Sequence, residues 1–392
     1  MKKTIICLIC VIFTLLIFGT AFAQEKSAES EKDDGFVFTT IKEIKTTPVK
    51  NQSRTGTCWT FSAASFFETE LIRLGKMEID LSEMFFVRMT YPLKAANYIR
   101  YHGQTTFGPG GLFGNILYCL DNFGAVPEEV YPGKLSGQKL HNHSEMDAVL
   151  KSILDAIITN RSRSISPVWP EIIESVLDSY LGEVPKQFNY QGKTYTPKSY
   201  LQDLGINPTD YIQITSYIHH PYYQQFTLEI PDNWADMLYY NLPLDEFVEV
   251  IDYALNKGYS VAWDGDVSEK TFNQKQGVAI LPLTDWEEKD KAAQDSTCKQ
   301  PEPEKTVDQK MRQLYFENYT SKDDHLMHLT GISEDQNGTR YYITKNSWGT
   351  KDSKFKGFVH MSESYLKAKT ISIMVSKEAL PAEIAKKLSI NQ

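Results

Sequence analysis

Apolar positions recur with helical period at several places along this chain of 392 residues. Over 59–74, Phe61, Ala64, Phe67 and Leu71 form one stripe, and Gly75 follows as a stop. Similar stripes predict helices over 81–91, 148–158, 171–181 and 244–256. The last is preceded by Pro243, carries Phe247, Val250, Ile251, Ala254 and Leu255 on one face, and ends at Gly258. Further along the pattern changes. Residues 259–263 predict a buried strand, while 323–332 and 340–349 read as two strands joined by an Asn337-Gly338 turn. More strands cluster up to residue 375. Between 286 and 305 the chain is polar and charged, with Pro301 and Pro303, and predicts an exposed loop. No repeat of fixed period is visible. Helices early and strands late make an α+β chain.

Chemistry is concentrated where these elements begin. Cys58 lies in Asn51-Gln52-Ser53-Arg54-Thr55-Gly56-Thr57-Cys58-Trp59, at the start of the first predicted helix. There the unpaired N–H groups and the macrodipole favour a thiolate. The side-chain amide of Gln52 offers a second donor, beside the Cys58 N–H, for a developing oxyanion. A lone cysteine at a helix start also reads as a small buried apolar residue. The late hairpin tips the balance. It can set a histidine, His325 or His328, beside Asn346, and Cys, His and an amide together make a nucleophile, base and orienter.

Gln52, Cys58-Trp59, His325 and Asn346-Ser347-Trp348-Gly349 together resemble the signature of papain-like cysteine peptidases. Within that superfamily the chain is most similar to bleomycin hydrolase and the bacterial aminopeptidase C enzymes. The interval from Cys58 to His325 is about twice the ordinary papain spacing of roughly 130–150 residues. Thr55 stands where papain has a disulfide-forming cysteine. Blocks at 118–127, 181–188, 195–201 and 240–267 extend the likeness over nearly the whole chain.

The resemblance implies a papain-like two-lobe fold, a helical lobe facing a β-barrel-like lobe, with 140–285 as a large helical insertion. It also implies peptide-bond hydrolysis through a thioester on Cys58, with His325, Asn346 and Gln52 as the other catalytic residues. His325 is preferred over His328 because it precedes Gly331 by the interval that the family shows. Gly110 and Gly111 would bind substrate backbone, and Trp348 would cover the Asn–His bond. No metal or organic cofactor is implied; a homohexamer is. In this branch a C-terminal arm lies in the cleft and offers its carboxylate to the substrate amine. Residues 376–392 resemble the start of that arm and stop short of it. Aminopeptidase or oligopeptidase action is therefore expected, with an open-cleft endopeptidase as the alternative. A peptide-binding relative without turnover is a third reading, opposed by the occupied catalytic positions.

Charge and compartment narrow this further. A net charge of −9 at pH 7 argues against binding nucleic acid, which needs Lys and Arg to displace counterions. Lys2-Lys3, an apolar run over 5–18 and Ala21-Phe22-Ala23 describe a secretory signal peptide over 1–23, hence a secreted or periplasmic protein spanning 24–392. The run is shorter than the ~20 residues that span a bilayer, so no permanent membrane anchor is expected. Beyond the leader the cysteines are Cys58, Cys119 and Cys298, an odd number that implies no disulfide framework. Cys119 is expected to be buried. His141-Asn142-His143 and His219-His220 lack a third ligand at zinc spacing and read as solvated surface histidines.

Overall fold

The computed structural model describes residues 35–134, 137–161 and 164–391, so the expected leader over 1–23 lies outside the described residues. Its helices are α1 (Cys58–Arg73), α2 (Glu83–Arg100), α3 (Phe113–Phe123), α4 (Ser144–Thr159), α5 (Trp169–Leu181), α6 (Pro197–Leu204), α7 (Leu244–Lys257), α8 (Lys291–Ser296), α9 (Gln309–Glu317), α10 (Glu363–Lys369) and α11 (Ala382–Lys387). Its strands are β1 (Phe38–Glu43), β2 (Phe188–Tyr190), β3 (Lys193–Tyr195), β4 (Tyr211–Thr215), β5 (Gln225–Thr227), β6 (Leu238–Asn241), β7 (Val261–Gly265), β8 (Phe272–Asn273), β9 (Val278–Ala279), β10 (His325–Asp335), β11 (Arg340–Lys345), β12 (Phe358–Ser362) and β13 (Thr370–Ser376). One mixed sheet runs β5-β6-β4-β13-β7-β10-β11-β12-β9-β8, with β1 pairing β10. The fold is α+β. Among the described residues no helix is long and apolar enough to cross a membrane.

The pleat divides the apolar residues between two cores. In β7, β10 and β13, Ala262, Leu326 and Met374 belong to one cluster, with α1, α2 and α3. Their neighbours Trp263, Met327, Ile373 and Val375 belong to a second, with α7. Such alternation is what a sheet covered on both faces requires. α1 carries few surface positions because it sits between the sheet and α2: every residue from Cys58 to Leu71 is buried.

Three expectations need correction. The helix expected over 81–91 continues to Arg100, through Pro92. Proline removes one backbone bond, but Tyr91, Lys94, Ala95 and Tyr98 beyond it are buried, and that packing outweighs the loss. The stretch 140–285 is helical only in part: beside α4 to α7 it supplies β4, β6 and β7 to the main sheet. The stretch 286–305 is pinned rather than loose. Leu283 N donates to Pro303 O, Lys289 pairs with Glu302, and Cys298 is buried with Phe36, Val278, Ile280 and Tyr341.

The C-terminal segment packs on the second core. Ile384, Ala385, Leu388 and Ile390 join the cluster around α7, and Lys387 pairs with Glu246. Glu378, at the segment's start, reaches Arg73. Arg73 and Cys58 occupy opposite ends of α1, roughly 22 Å apart at ~1.5 Å per residue.

Lys50 ties the N-terminal loop to the helices. Its ammonium meets Glu83 at 2.6 Å, Glu68 at 3.2 Å and Asp80, and Glu68 also accepts from Thr47 Oγ1 and Leu81 N. Both glutamates are buried, and burial pushes Glu83 up to about 8 despite Lys50. Lys50→Met would strand these carboxylates, and breaking a buried ion pair costs about 3–5 kcal/mol. The expected outcome is a urea midpoint lowered accordingly; a change below about 1 kcal/mol would show that the cluster does not hold the loop.

Candidate active site

α1 begins at Cys58 after Thr57, whose side chain makes no cap bond to the helix. Instead, Thr55 Oγ1 accepts from Thr57 N at 3.2 Å, within a tight turn through Gly56 at φ +63°. A Cβ at Gly56 would lie 2.6 Å from Pro109, so this turn and the 109–111 loop touch. Trp59 Nε1 donates to Pro109 O at 2.9 Å. A side chain at Gly111 would come within 2.9 Å of the Trp59 ring, and one at Gly110 within 2.0 Å of the Asp232 carboxylate. Both glycines are thus packed too closely to carry a side chain, Gly111 against Trp59 and Gly110 against Asp232.

The hairpin brings the other groups together. His325 Nε2 donates to Asn346 Oδ1 at 2.8 Å. The amide's orientation is set from both ends: Oδ1 also accepts from Ser347 N, and Nδ2 donates to Gln274 Oε1 at 2.8 Å. With its proton on Nε2, His325 keeps Nδ1 as the acceptor. The indole of Trp348 lies over the imidazole, centroids 4.7 Å apart, and meets Phe272 edge-on. Gln52 is held in the same layer. Its N donates to Ser347 O at 2.8 Å, and its Oε1 accepts from Ser347 Oγ, which leaves the amide N–H bonds free to donate elsewhere. Asn51 bridges Trp348, and Gly349 N donates to Lys50 O. Two loops from opposite ends of the chain thus form one layer.

His328 is placed elsewhere. Three residues further along β10, it faces α1, with Nδ1 2.9 Å from Ser65 Oγ and its ring against Phe66. It is fully buried, and burial with Lys345 nearby holds it well below the usual imidazole range.

Gln274 had no signal in the sequence: it stands in a polar turn between β8 and β9 inside the supposed insertion. His141 and His143 are buried, not solvated. Arg54 N donates to His141 O and His143 N to Arg54 O, so this segment braces the loop before Cys58. Desolvation lowers the two imidazoles to about 3 and 4. His219 and His220 do gain a third group, Glu229, at 3.2 and 2.6 Å. Gln313 Nε2 donates to His219 Nδ1, while Gln313 Oε1 accepts from Ile218 N. The His219 proton then sits on Nε2 and points at Glu229, which leaves that nitrogen no lone pair for a metal.

A protein-family model described as Peptidase C1-like family matches residues 95–392. The chain belongs to that family. A second model, Papain family cysteine protease, matches residues 37–103. The Aminopeptidase C of Streptococcus thermophilus is 25% identical, over 91% of this chain and 86% of its own length. That of Lactococcus lactis subsp. cremoris is 24% identical, over 86% and 82%. The crystal structure of PepW from Lactobacillus rhamnosis HN001 superposes with a TM-score of 0.70 at 20% identity, over 90% of this chain and 84% of that one. This C1-like protein is a cysteine-type peptidase with a papain-like fold, in the bleomycin hydrolase and aminopeptidase C group.

The electrostatics run against a thiolate at rest. Burial pushes the Cys58 thiol up to about 12; the Leu326 N–H opposes this, and Asp323, Asp232 and Asp264 add to it. Burial lowers His325 to about 4, against the Asn346 bond. Burial thus disfavours the charged form of each group, and the helix start alone does not outweigh desolvation. Iodoacetamide should therefore alkylate Cys58 slowly at pH 6 and faster as pH rises beyond 8.5. A fast plateau between pH 5 and 7 would instead show an ion pair at rest.

Proposed function

We propose that this peptidase removes residues from peptide N-termini by acyl transfer to Cys58. The hydrogen bond from His325 to Asn346, with the N–H of the next residue, Leu326, set against the thiol of Cys58 at the start of α1, is the observation that carries the reading. His325 Nδ1 takes the thiol proton as sulfur attacks the scissile carbonyl, then returns it to the leaving amine. Asn346 keeps the ring oriented, Gln274 keeps the amide oriented, and Trp348 shields the bond between them. The Gln52 amide and the Cys58 N–H receive the oxyanion, and the Gly110-Gly111 backbone meets the substrate chain. Water then hydrolyses the thioester. The names of the relatives support the exopeptidase part of this reading.

Hydrolysis of a free-amine peptide by purified variants tests these roles. Cys58→Ala should lose all turnover while keeping its fold, and His325→Ala should be nearly as severe. Gln52→Ala should lower kcat by about 10²–10³, the usual cost of one oxyanion donor. His328→Ala should lower stability while leaving kcat of the folded fraction near that of the parent. Retained turnover in Cys58→Ala, or a reversed order of the two histidines, would overturn the assignment.

A further inference from the structure

One buried lysine holds the loop that carries Gly110 and Gly111, and the chemistry above gives it no part. Lys94 lies in α2, two residues past Pro92, and is only 2% exposed. Its ammonium donates to Gly108 O at 2.6 Å and to Gly110 O. Both hydrogen bonds thus go to main-chain carbonyls rather than to a carboxylate. Burial brings the amine down to about 8, against the charges of Asp232, Asp147 and Asp323. A methionine would fill the same space without desolvating a charge, so packing alone does not call for a lysine here.

The rest of the loop is pinned as well. Trp59 Nε1 donates to Pro109 O at 2.9 Å, and Leu112 N donates to Asn115 Oδ1 at 2.9 Å. Asp232, which stands against Gly110, belongs to a loop tied to α2, where Asn97 Nδ2 donates to Trp234 O at 2.8 Å. Three successive carbonyls, those of Gly108, Pro109 and Gly110, are therefore held by side chains of α1 and α2. A trans peptide is planar, with its C=O and N–H on opposite sides of the chain, and no described peptide bond is cis. Turning Gly110 O toward Lys94 thus turns Gly111 N–H away from it. Gly111 is buried, yet none of the hydrogen bonds among the described residues involves its N–H or its C=O. A buried main-chain group without a partner is rare, and this one lies against Trp59, the residue after Cys58.

We propose that Lys94 is a positioning residue for substrate binding: it holds the Gly108 and Gly110 carbonyls inward, so that the Gly111 N–H and C=O are set to pair with the substrate main chain. This rests on the peptidase reading, in which the glycine pair meets the substrate, and adds the residue that aims it. A peptide plane between two glycines rotates easily, because neither has a Cβ to restrict it. The ammonium removes that freedom before the substrate arrives, which lowers the cost of binding. Pairing through the main chain is blind to side chains, so Lys94 acts on affinity for peptides in general. It touches neither the substrate nor the reacting atoms, and its loss leaves the bond between His325 and Asn346 in place.

Full-length Lys94→Met, checked by thermal melt, tests this by separating KM from kcat on Leu-Phe amide. KM should rise about tenfold, the scale of one or two hydrogen bonds. The kcat should stay within about threefold of the parent, as when only uniform binding is lost. Alkylation of Cys58 by iodoacetamide at fixed pH, which makes no use of Gly111, should keep its rate. A merely structural lysine would lower the melting temperature and leave KM of the folded fraction where it was. Should Lys94→Met not fold, Lys94→Gln, which keeps N–H donors on a shorter stem, replaces it, with the same split expected at smaller size. An unchanged KM, a fall of kcat and alkylation together, or failure of both variants to fold overturns the proposal. Calorimetry in the Cys58→Ala background separates this claim from the claim of turnover. There, adding Lys94→Met should weaken binding of the same peptide about tenfold, and equal binding overturns the proposal. Absence of turnover in the parent would sink the peptidase roles and leave that comparison to decide on Lys94.

Discussion

The arrangement depends on one contact layer, in which residues 50–52 lie against residues 347–349. Gln52 N to Ser347 O, Ser347 Oγ to Gln52 Oε1 and Gly349 N to Lys50 O join the loop that leads to Cys58 to the loop that follows Asn346. Neither loop has regular structure to hold it. Each is anchored from behind: Lys50 in the buried carboxylates of α1 and α2, and Asn346 at the end of β11, where Lys345 donates to Ser65 of α1. α1 thus touches both loops through Glu68 and Ser65 and carries Cys58 at its own start. A rigid helix that serves all three parts explains how groups from the two ends of the chain keep hydrogen-bond distances.

Burial is the second organising force, and it works against the charges that the chemistry needs. Burial pushes both Cys58 and His325 toward their neutral forms. A water-excluded site also strengthens each dipole in it, the Gln52 amide included. Asp323, Asp232 and Asp264 raise the thiol further.

Local signals made the helices at α1, α4, α5 and α7 legible, because each has an uninterrupted apolar stripe and a stop. The hairpin from β10 to β11 was equally legible from Asn337-Gly338. Cys58, Gln52, His325 and Asn346 could be named because each sits in a short motif at an element boundary. Pro92 misled the reading of α2, since tertiary packing of Tyr98 and Lys94 overrode a local breaker. His141 and His143 looked like surface residues because a β-bridge to Arg54 leaves no trace in their own sequence. Gln274 and Asp264 depend on the register of distant strands, and Asp232 on a loop contact, so none had a pattern to find.

The central claim is that Cys58 is the residue that carries the acyl group. Quenching the reaction with acid during turnover of a slow ester substrate, then mapping peptides by mass spectrometry, tests it directly. The account expects the acyl mass on the peptide that contains Cys58, absent from those containing Cys119, in α3, and Cys298, after α8. An acyl group on either of those cysteines, or turnover with no acylated cysteine, would contradict it.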